Sequence, residues 1–138
     1  MADRMKPQDN RERFEAYYTK DRTQIKRLIQ MAALGTDLGL NGYTTVEEAG
    51  TLVASLGLKP DSCLLDIGAG RGWPGSHIAK KSSCKLVSTD IPWEALAGAR
   101  DEIEESDYEG CRQVVNADGR ALPFRSESFD GIVHADVF

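Results

Sequence analysis

The sequence has 138 residues, of which 41% are hydrophobic and 28% are charged. This length and composition predict one soluble, folded domain and exclude a disordered or fibrous chain. No apolar run approaches the roughly 20 residues that a membrane span needs. The charged N-terminus also lacks the apolar stretch of a secretory signal.

The net charge of −5 is unevenly distributed. Residues 1–30 contain eight Lys/Arg and five Asp/Glu, whereas the remainder contains nine and 17. An acidic body repels phosphate backbones, so nucleic acid is not the expected partner. The mildly basic N-terminal part could contact an anionic substrate, but an ordinary solvated helix surface is the favoured interpretation.

The cysteines and histidines do not form a metal site or a disulfide pattern. Cys63, Cys84 and Cys111 form no CxxC pair, and His77 and His134 lie far apart in the sequence. We therefore expect reduced thiols, a cytoplasmic location and no metal.

Two helices are predicted before residue 60. Apolar side chains recur at the spacing of one helix face: Ile25, Leu28, Ile29 and Ala32. Thr45 and Glu48 have capping-box spacing at the start of a second helix, which Pro60 closes. We expect residues 1–58 to form an N-terminal helical lid.

The remaining residues alternate between strands and helices. Apolar runs at 63–67, 85–89, 113–116 and 129–134 predict four strands, and Pro74 and Pro92 mark the starts of two helices between them. This alternation predicts an α/β fold with a parallel sheet and right-handed crossovers.

A glycine-rich turn, Asp66-Ile67-Gly68-Ala69-Gly70-Arg71-Gly72, follows the first strand. Glycines there let a ligand approach the backbone closely. A dinucleotide-binding fingerprint needs glycine where this chain has Trp73. Asp66, which precedes the glycines, would repel a pyrophosphate and suit a cation. The turn therefore favours a nucleoside cofactor with an ammonium group and no phosphate. For Trp73 we favour packing between helices over shielding the cofactor.

Two further acids follow the next two strands. Asp90 ends the second strand, 22 residues after Gly68, where a carboxylate can accept hydrogen bonds from ribose hydroxyls, and Asp118 follows the third strand. The three acids should converge at the carboxyl edge of the sheet. Asp90 could instead cap the following helix, and Asp118 could belong to a turn. Capping is less expected for Asp66 because glycines separate it from the helix.

Together with Ser128-Phe129-Asp130, these motifs resemble those of class I S-adenosylmethionine-dependent methyltransferases, especially the ubiquinone/menaquinone-biosynthesis type that acts on small molecules. The resemblance covers about residues 60–138. It implies a Rossmann-like open parallel sheet of order 3-2-1-4 with residues 59–138 as the cofactor-binding half-domain. It also implies S-adenosyl-L-methionine as cofactor and a small-molecule methyl acceptor.

The resemblance assigns site residues. The resemblance implies that Asp66 holds the methionyl end of the cofactor, that Asp90 binds the ribose and that Asp118 binds the adenine amine. The full set of cofactor-binding residues is Asp66, Gly68, Ala69, Gly70, Gly72, Asp90, Ile91, Asp118, Gly119 and Arg120, with Tyr43 at the entrance.

A general base is needed only if the acceptor atom carries a proton of high pKa. His134 and Asp136 follow the fourth strand, whose end faces the transferable methyl group in this fold. They are the candidate catalytic residues, although a strand-end position without chemical role is favoured for His134. Tyr17 and Tyr18 are expected to pack.

The family's sheet normally has seven strands, and this sequence ends after the fourth. We expect the resulting edge to expose four apolar residues: Ile132, Val133, Val137 and Phe138. Either the protein continues, or another copy or a partner chain covers this edge. The alternative function is a non-catalytic cofactor-binding module that needs a partner chain. A nicotinamide-dependent reductase is a distant third.

Overall fold

The computed structural model describes residues 24–34, 42–104 and 112–135, together with residues 12, 16 and 110. The helices and strands in chain order are α1 Gln24–Leu34, α2 Val46–Leu56, β1 Cys63–Ile67, α3 Gly75–Ser82, β2 Lys85–Asp90, α4 Trp93–Glu104, β3 Arg112–Asn116 and β4 Gly131–Val133. Within these ranges, no helix is both long and apolar enough to cross a membrane.

The four strands form one parallel sheet of order β3-β2-β1-β4. This confirms the predicted α/β class and strand order. The register pairs Asp66 of β1 with Ser88 of β2, and Asp90 of β2 with Asn116 of β3. The carboxyl ends of three strands therefore lie side by side, as expected for an open parallel sheet.

Helix α2 has both predicted end signals. The Thr45 hydroxyl accepts the Glu48 backbone N–H, and the Glu48 carboxylate accepts the Thr45 backbone N–H, which completes the capping box. Gly57 ends the helix in the left-handed conformation, with φ of 57°. Partly buried residues of this helix, Leu52, Val53 and Leu56, pack against the buried core.

The main buried cluster joins α3 to β1, β2 and β4. Its members are Leu64, Ile78, Ala79, Cys84, Leu86 and Val133. Side chains alternate along a strand, so Asp66 shares the face of Leu64 on which α3 packs. Helix α4 packs along β2 and β3 and buries Ala95, Leu96 and Ala99.

Strand β4 is shorter than predicted because Asp130 is engaged just before it. The Asp130 side chain accepts the Cys63 N–H at 2.8 Å, and the Asp130 N–H donates to the Cys63 carbonyl at 2.9 Å. Ile132 is 57% exposed, as predicted, but the prediction that Val133 is exposed is wrong. Val133 pairs with Asp66 and joins the core face. Val137 and Phe138 lie outside the described residues.

Helix α1 confirms the helical spacing of its apolar residues. Ile25, Leu28 and Ile29 are 67%, 63% and 61% exposed. The expected role of residues 1–58 as a lid stays a prediction, and so does the boundary after residue 58.

The contrast between buried and exposed isoleucines gives a test of the core. Ile78→Val removes a methylene group from a fully buried side chain. We expect it to lower the free energy of unfolding by about 1 kcal/mol through lost burial and a small cavity. The same substitution at the exposed Ile132 should change it by less than about 0.5 kcal/mol. Urea denaturation of both variants measures this, and equal effects would contradict the assigned core.

Candidate functional site

The glycine-rich turn leaves β1 in a conformation that favours glycine. Gly68, Gly70 and Gly72 have φ of 70°, 54° and 105°. The N–H groups of Gly68 and Ala69 both donate to the Thr89 carbonyl, at 2.8 and 2.9 Å. The turn is thereby held against the end of β2, which brings it beside Asp90.

Asp66 is buried beneath this turn and contacts the start of α3. The Gly75 N–H donates to its carboxyl group, while Asp66 Oδ2 and the neighbouring Ser88 Oγ are buried and make no hydrogen bond. Burial, and secondarily the charge of Asp90, raises the pKa of Asp66 well above its ordinary value. Asp66 therefore lies against the first residue of α3, whose N-cap residue is Pro74.

This close approach of Asp66 to α3 depends on the absence of a side chain at position 75. A Cβ atom on Gly75 would lie 2.7 Å from the Asp66 Cγ, closer than any real contact of this kind. Glycine at the first residue of α3 lets the helix terminus reach a carboxyl group from the opposite side of the turn. The only sequence signal for this contact is the glycine at position 75, nine residues after Asp66.

Asp90 links the turn to the end of β2. Its Oδ2 accepts the Gly70 N–H at 2.8 Å, and its Oδ1 accepts the Ile91 N–H at 2.7 Å. Burial raises the pKa of Asp90, and these two hydrogen bonds oppose that effect. Each carboxylate oxygen can accept two hydrogen bonds, so one acceptor position remains on each. This arrangement matches two adjacent hydroxyl groups.

Asn116 at the end of β3 is a site residue that the sequence analysis missed. Its side-chain amide donates to the carbonyls of Asp90 and Ile91, at 3.0 and 2.6 Å. The Ala117 N–H adds a third bond, to the Asp90 carbonyl at 3.1 Å. The predicted strands implied that Asn116 lies beside Asp90. They did not indicate the direction of the Asn116 side chain.

Asp118 binds Arg120 within the same loop. The Arg120 N–H and Nε donate to Oδ1 at 2.9 and 3.0 Å, and Nη2 donates to Oδ2 at 2.6 Å. These bonds lower the pKa of Asp118 to about 2. The turn alternative for Asp118 is therefore observed, while its contact with adenine stays a prediction. A Cβ on Gly119 would lie 3.0 Å from Ile67 Cγ2, so glycine permits this close approach.

Trp73 packs against α3 and the segment before α2, as the favoured interpretation predicts. It is only 6% exposed, and its indole N–H donates to the Thr44 carbonyl at 2.8 Å. Its ring lies 5.3 Å from that of His77, centroid to centroid. Burial, and then the charges of Lys81 and Lys80, lowers the pKa of His77.

Among the other predicted site residues, only Ile91 is described beside one of the three acids. Ile91 is 39% exposed beside Asp90, which leaves an apolar surface next to the free carboxylate positions. His134 is exposed just after β4, and Tyr43 is 84% exposed before α2. Asp136, Tyr17, Tyr18 and Cys111 lie outside the described residues. In the part of the chain that is described, no group of His, Cys, Asp and Glu could hold a metal ion.

The residues present fit a nucleoside better than a phosphorylated ligand. The half-buried Asp90 has free acceptor positions for hydroxyl groups, and the exposed face of Ile91 can pack against a flat ring. The buried, unpaired Asp66 Oδ2 lies beneath the same turn. The Asp90 carboxylate beside the glycine turn disfavours a pyrophosphate at this position.

The fold and the glycine-rich turn together place this chain in the Rossmann-like class of open parallel α/β proteins. Comparison with known sequences makes this more specific: the chain belongs to the methyltransferase domain family, whose pattern matches residues 64–138.

Named relatives cover part of the chain. It is 31% identical over 94 residues to sarcosine/dimethylglycine N-methyltransferase of Halorhodospira halochloris, which is 68% of this chain and 33% of that protein. It is 38% identical over 71 residues to malonyl-[acyl-carrier protein] O-methyltransferase of Gallionella capsiferriformans, 49% of this chain and 24% of that protein. The chain thus spans a third or less of these relatives' length.

A solved structure agrees in fold. The S-adenosylmethionine-dependent methyltransferase of Thiobacillus denitrificans, in complex with S-adenosyl-L-homocysteine, superposes with a TM-score of 0.60 at 20% identity. The superposition covers 83% of this chain and 44% of that one.

The contact between Asp66 and Gly75 gives a second prediction. Gly75→Ala forces a methyl group against the buried carboxyl group, and we expect the free energy of unfolding to fall by about 1–3 kcal/mol. The matched control is Gly50→Ala in α2, where nothing lies within 4 Å of the added atom. It should gain about 0.5–1 kcal/mol from helix propensity. Denaturant unfolding of both variants measures these changes. An unchanged free energy of unfolding in Gly75→Ala would contradict the described packing.

The raised pKa of Asp66 gives a third prediction. Because the pKa of Asp66 is raised in the folded protein, the folded state holds this proton to a higher pH than the unfolded chain, which releases it near the ordinary value of 3.8. This contribution to stability is complete below that pH and is lost as the pH rises. Asp66→Asn cannot ionise and keeps an acceptor for the Gly75 N–H. Its stability relative to wild type should therefore rise as the pH increases above about 4, by at most about 1.4 kcal/mol per pH unit.

Urea denaturation at several pH values measures this difference. The matched control is Asp61→Asn, at an exposed turn before β1, which should follow the wild-type pH profile. Parallel profiles for wild type and Asp66→Asn would show that folding does not raise the pKa of Asp66 and would contradict the prediction.

Proposed function

We propose that this chain binds S-adenosyl-L-methionine and is the cofactor-binding part of a methyltransferase that acts on a small molecule. The observation that carries the proposal is the position of Asp90. Its carboxylate is fixed by N–H groups from the glycine turn and from Ile91, and it keeps one acceptor position on each oxygen. A ribose has two adjacent hydroxyl groups that such a carboxylate can bind.

Each of the other residues has a place in this proposal. The turn of Gly68, Gly70 and Gly72 allows close approach of the methionyl part, and Asp66 lies beneath it. Ile91 packs against the adenine ring, and Asp118 with Gly119 and Arg120 lies at its edge. Tyr43 stays a proposed entrance residue, although its exposure does not itself support that role.

The bound cofactor supplies a methyl group already activated by a positively charged sulfur. The protein therefore needs mainly to orient the reactants and exclude water. The Asp90 carboxylate beside the turn favours a cationic group over a phosphate. If the acceptor carries a proton of high pKa, His134 and Asp136 remain the proposed bases, because they follow the strand that pairs with β1.

The proposed acceptor is a small molecule rather than a nucleic acid. The excess of Asp and Glu after residue 30 disfavours a phosphate backbone. The name of the sarcosine/dimethylglycine N-methyltransferase supports a small-molecule acceptor. The absence of a CxxC pair and of a disulfide pattern in the sequence supports the proposed cytoplasmic location.

The exposed Ile132 on β4 supports a second proposal: a further part of the protein, another copy or a partner chain covers this strand. A non-catalytic module would use the same surface. Binding of cofactor without methyl transfer, in a protein that associates stably through β4, would favour that alternative.

Calorimetric titration of the 138-residue protein with S-adenosyl-L-homocysteine tests the proposal. Asp90→Ala should weaken binding by about 1–3 kcal/mol because it removes the hydroxyl acceptor. The matched control, Asp61→Ala, removes an exposed carboxylate before β1 and should bind as wild type does. Folded wild-type protein that does not bind, or equal affinity in Asp90→Ala, would contradict the proposed site.

A further inference from the structure

The Asn116 amide uses both of its N–H donors on one short segment. The acceptors are the carbonyls of Asp90 and Ile91, 26 and 25 residues earlier in the chain. Those two residues form the exit from β2. Asn116 thus holds, from the neighbouring strand, the backbone that carries the Asp90 carboxylate.

That backbone determines where the carboxylate points. The Ile91 N–H donates to Asp90 Oδ1 at 2.7 Å, so any rotation of the peptide group between them displaces one oxygen. The Gly70 N–H holds Oδ2 at 2.8 Å from the other side. The amide of Asn116, the β2 exit, the carboxylate and the glycine turn therefore form one continuous chain of hydrogen bonds.

Few side chains could replace this amide. Asparagine offers two N–H donors on a short arm, whereas serine and threonine offer one and ionised aspartate offers none. Glutamine has the same donors on an arm longer by one methylene group. The ladder bonds of β2 and β3 cannot substitute for it, because the Ile91 carbonyl lies beyond the last paired residue of β2.

We propose that Asn116 is a positioning residue that orients the Asp90 carboxylate for the ribose hydroxyls. The inference rests on the proposed function, since Asp90 must be the ribose acceptor. Asn116 does not touch the ligand in this assignment. Its effect on binding passes through Asp90 and disappears when Asp90 is absent, which distinguishes positioning from a purely structural role.

The experiment is a double-mutant cycle read by calorimetric titration with S-adenosyl-L-homocysteine. Four proteins are compared: wild type, Asn116→Ala, Asp90→Ala and the double variant. We expect Asn116→Ala to weaken binding about fivefold to tenfold when Asp90 is present, the size expected for one well-placed hydrogen bond. In the Asp90→Ala background the same change should cost less than about twofold.

Two further variants secure the interpretation. Gln113→Ala lies on the same strand with an exposed side chain and should bind as wild type does. Thermal unfolding without ligand checks that each variant is folded. If Asn116→Ala does not fold, Asn116→Ser is used in the same cycle, since it keeps a polar side chain with a single donor.

Each outcome has a defined meaning. Wild-type binding with an unchanged affinity in Asn116→Ala overturns this inference and leaves the proposed function intact. An equal loss in both backgrounds also overturns it, because Asn116 would then act independently of Asp90. Failure of folded wild-type protein to bind contradicts the proposed function itself, and the inference falls with it.

Discussion

The Thr89 carbonyl is the acceptor on which the arrangement at the sheet edge depends. It receives N–H groups from Gly68 and Ala69, while the Thr89 hydroxyl donates to the Asp66 carbonyl at 3.2 Å. These bonds fix the exit from β1 against the end of β2 at the point where regular strand pairing stops. Two of the three involve backbone atoms only, so the contact constrains conformation more than side-chain identity. The position of Asp90 beside Gly70 follows from it.

Three acids at one edge have three different environments. Burial raises the pKa of Asp66 and of Asp90, whereas hydrogen bonds from Arg120 lower the pKa of the partly exposed Asp118. Counting carboxyl groups in the sequence therefore overstates the negative charge near the turn. At Asp66 burial disfavours the ionised form, and at Asp118 the neighbouring Arg120 cation balances the negative charge.

Much of the fold could be predicted because its determinants are local. Alternating apolar runs, glycines and prolines located β1, β2 and β3 to within a residue, and the strand order and family were confirmed. The errors came from contacts between distant positions. Asp66 reaches Gly75 across the turn, and Asn116 reaches back to Ile91, and neither pairing has a local pattern. The burial of Val133 likewise depends on which face of the sheet α3 covers.

The indole of Trp73 donates to a main-chain carbonyl at position 44. This bond therefore restricts the residue type at position 73 but not at position 44. Any residue at position 44 supplies a carbonyl, whereas only tryptophan at position 73 supplies this donor on a large ring. As far as this contact is concerned, the segment before α2 can diverge freely during evolution while Trp73 is retained. Attachment of that segment to the turn can therefore persist among homologues whose sequences before α2 no longer align.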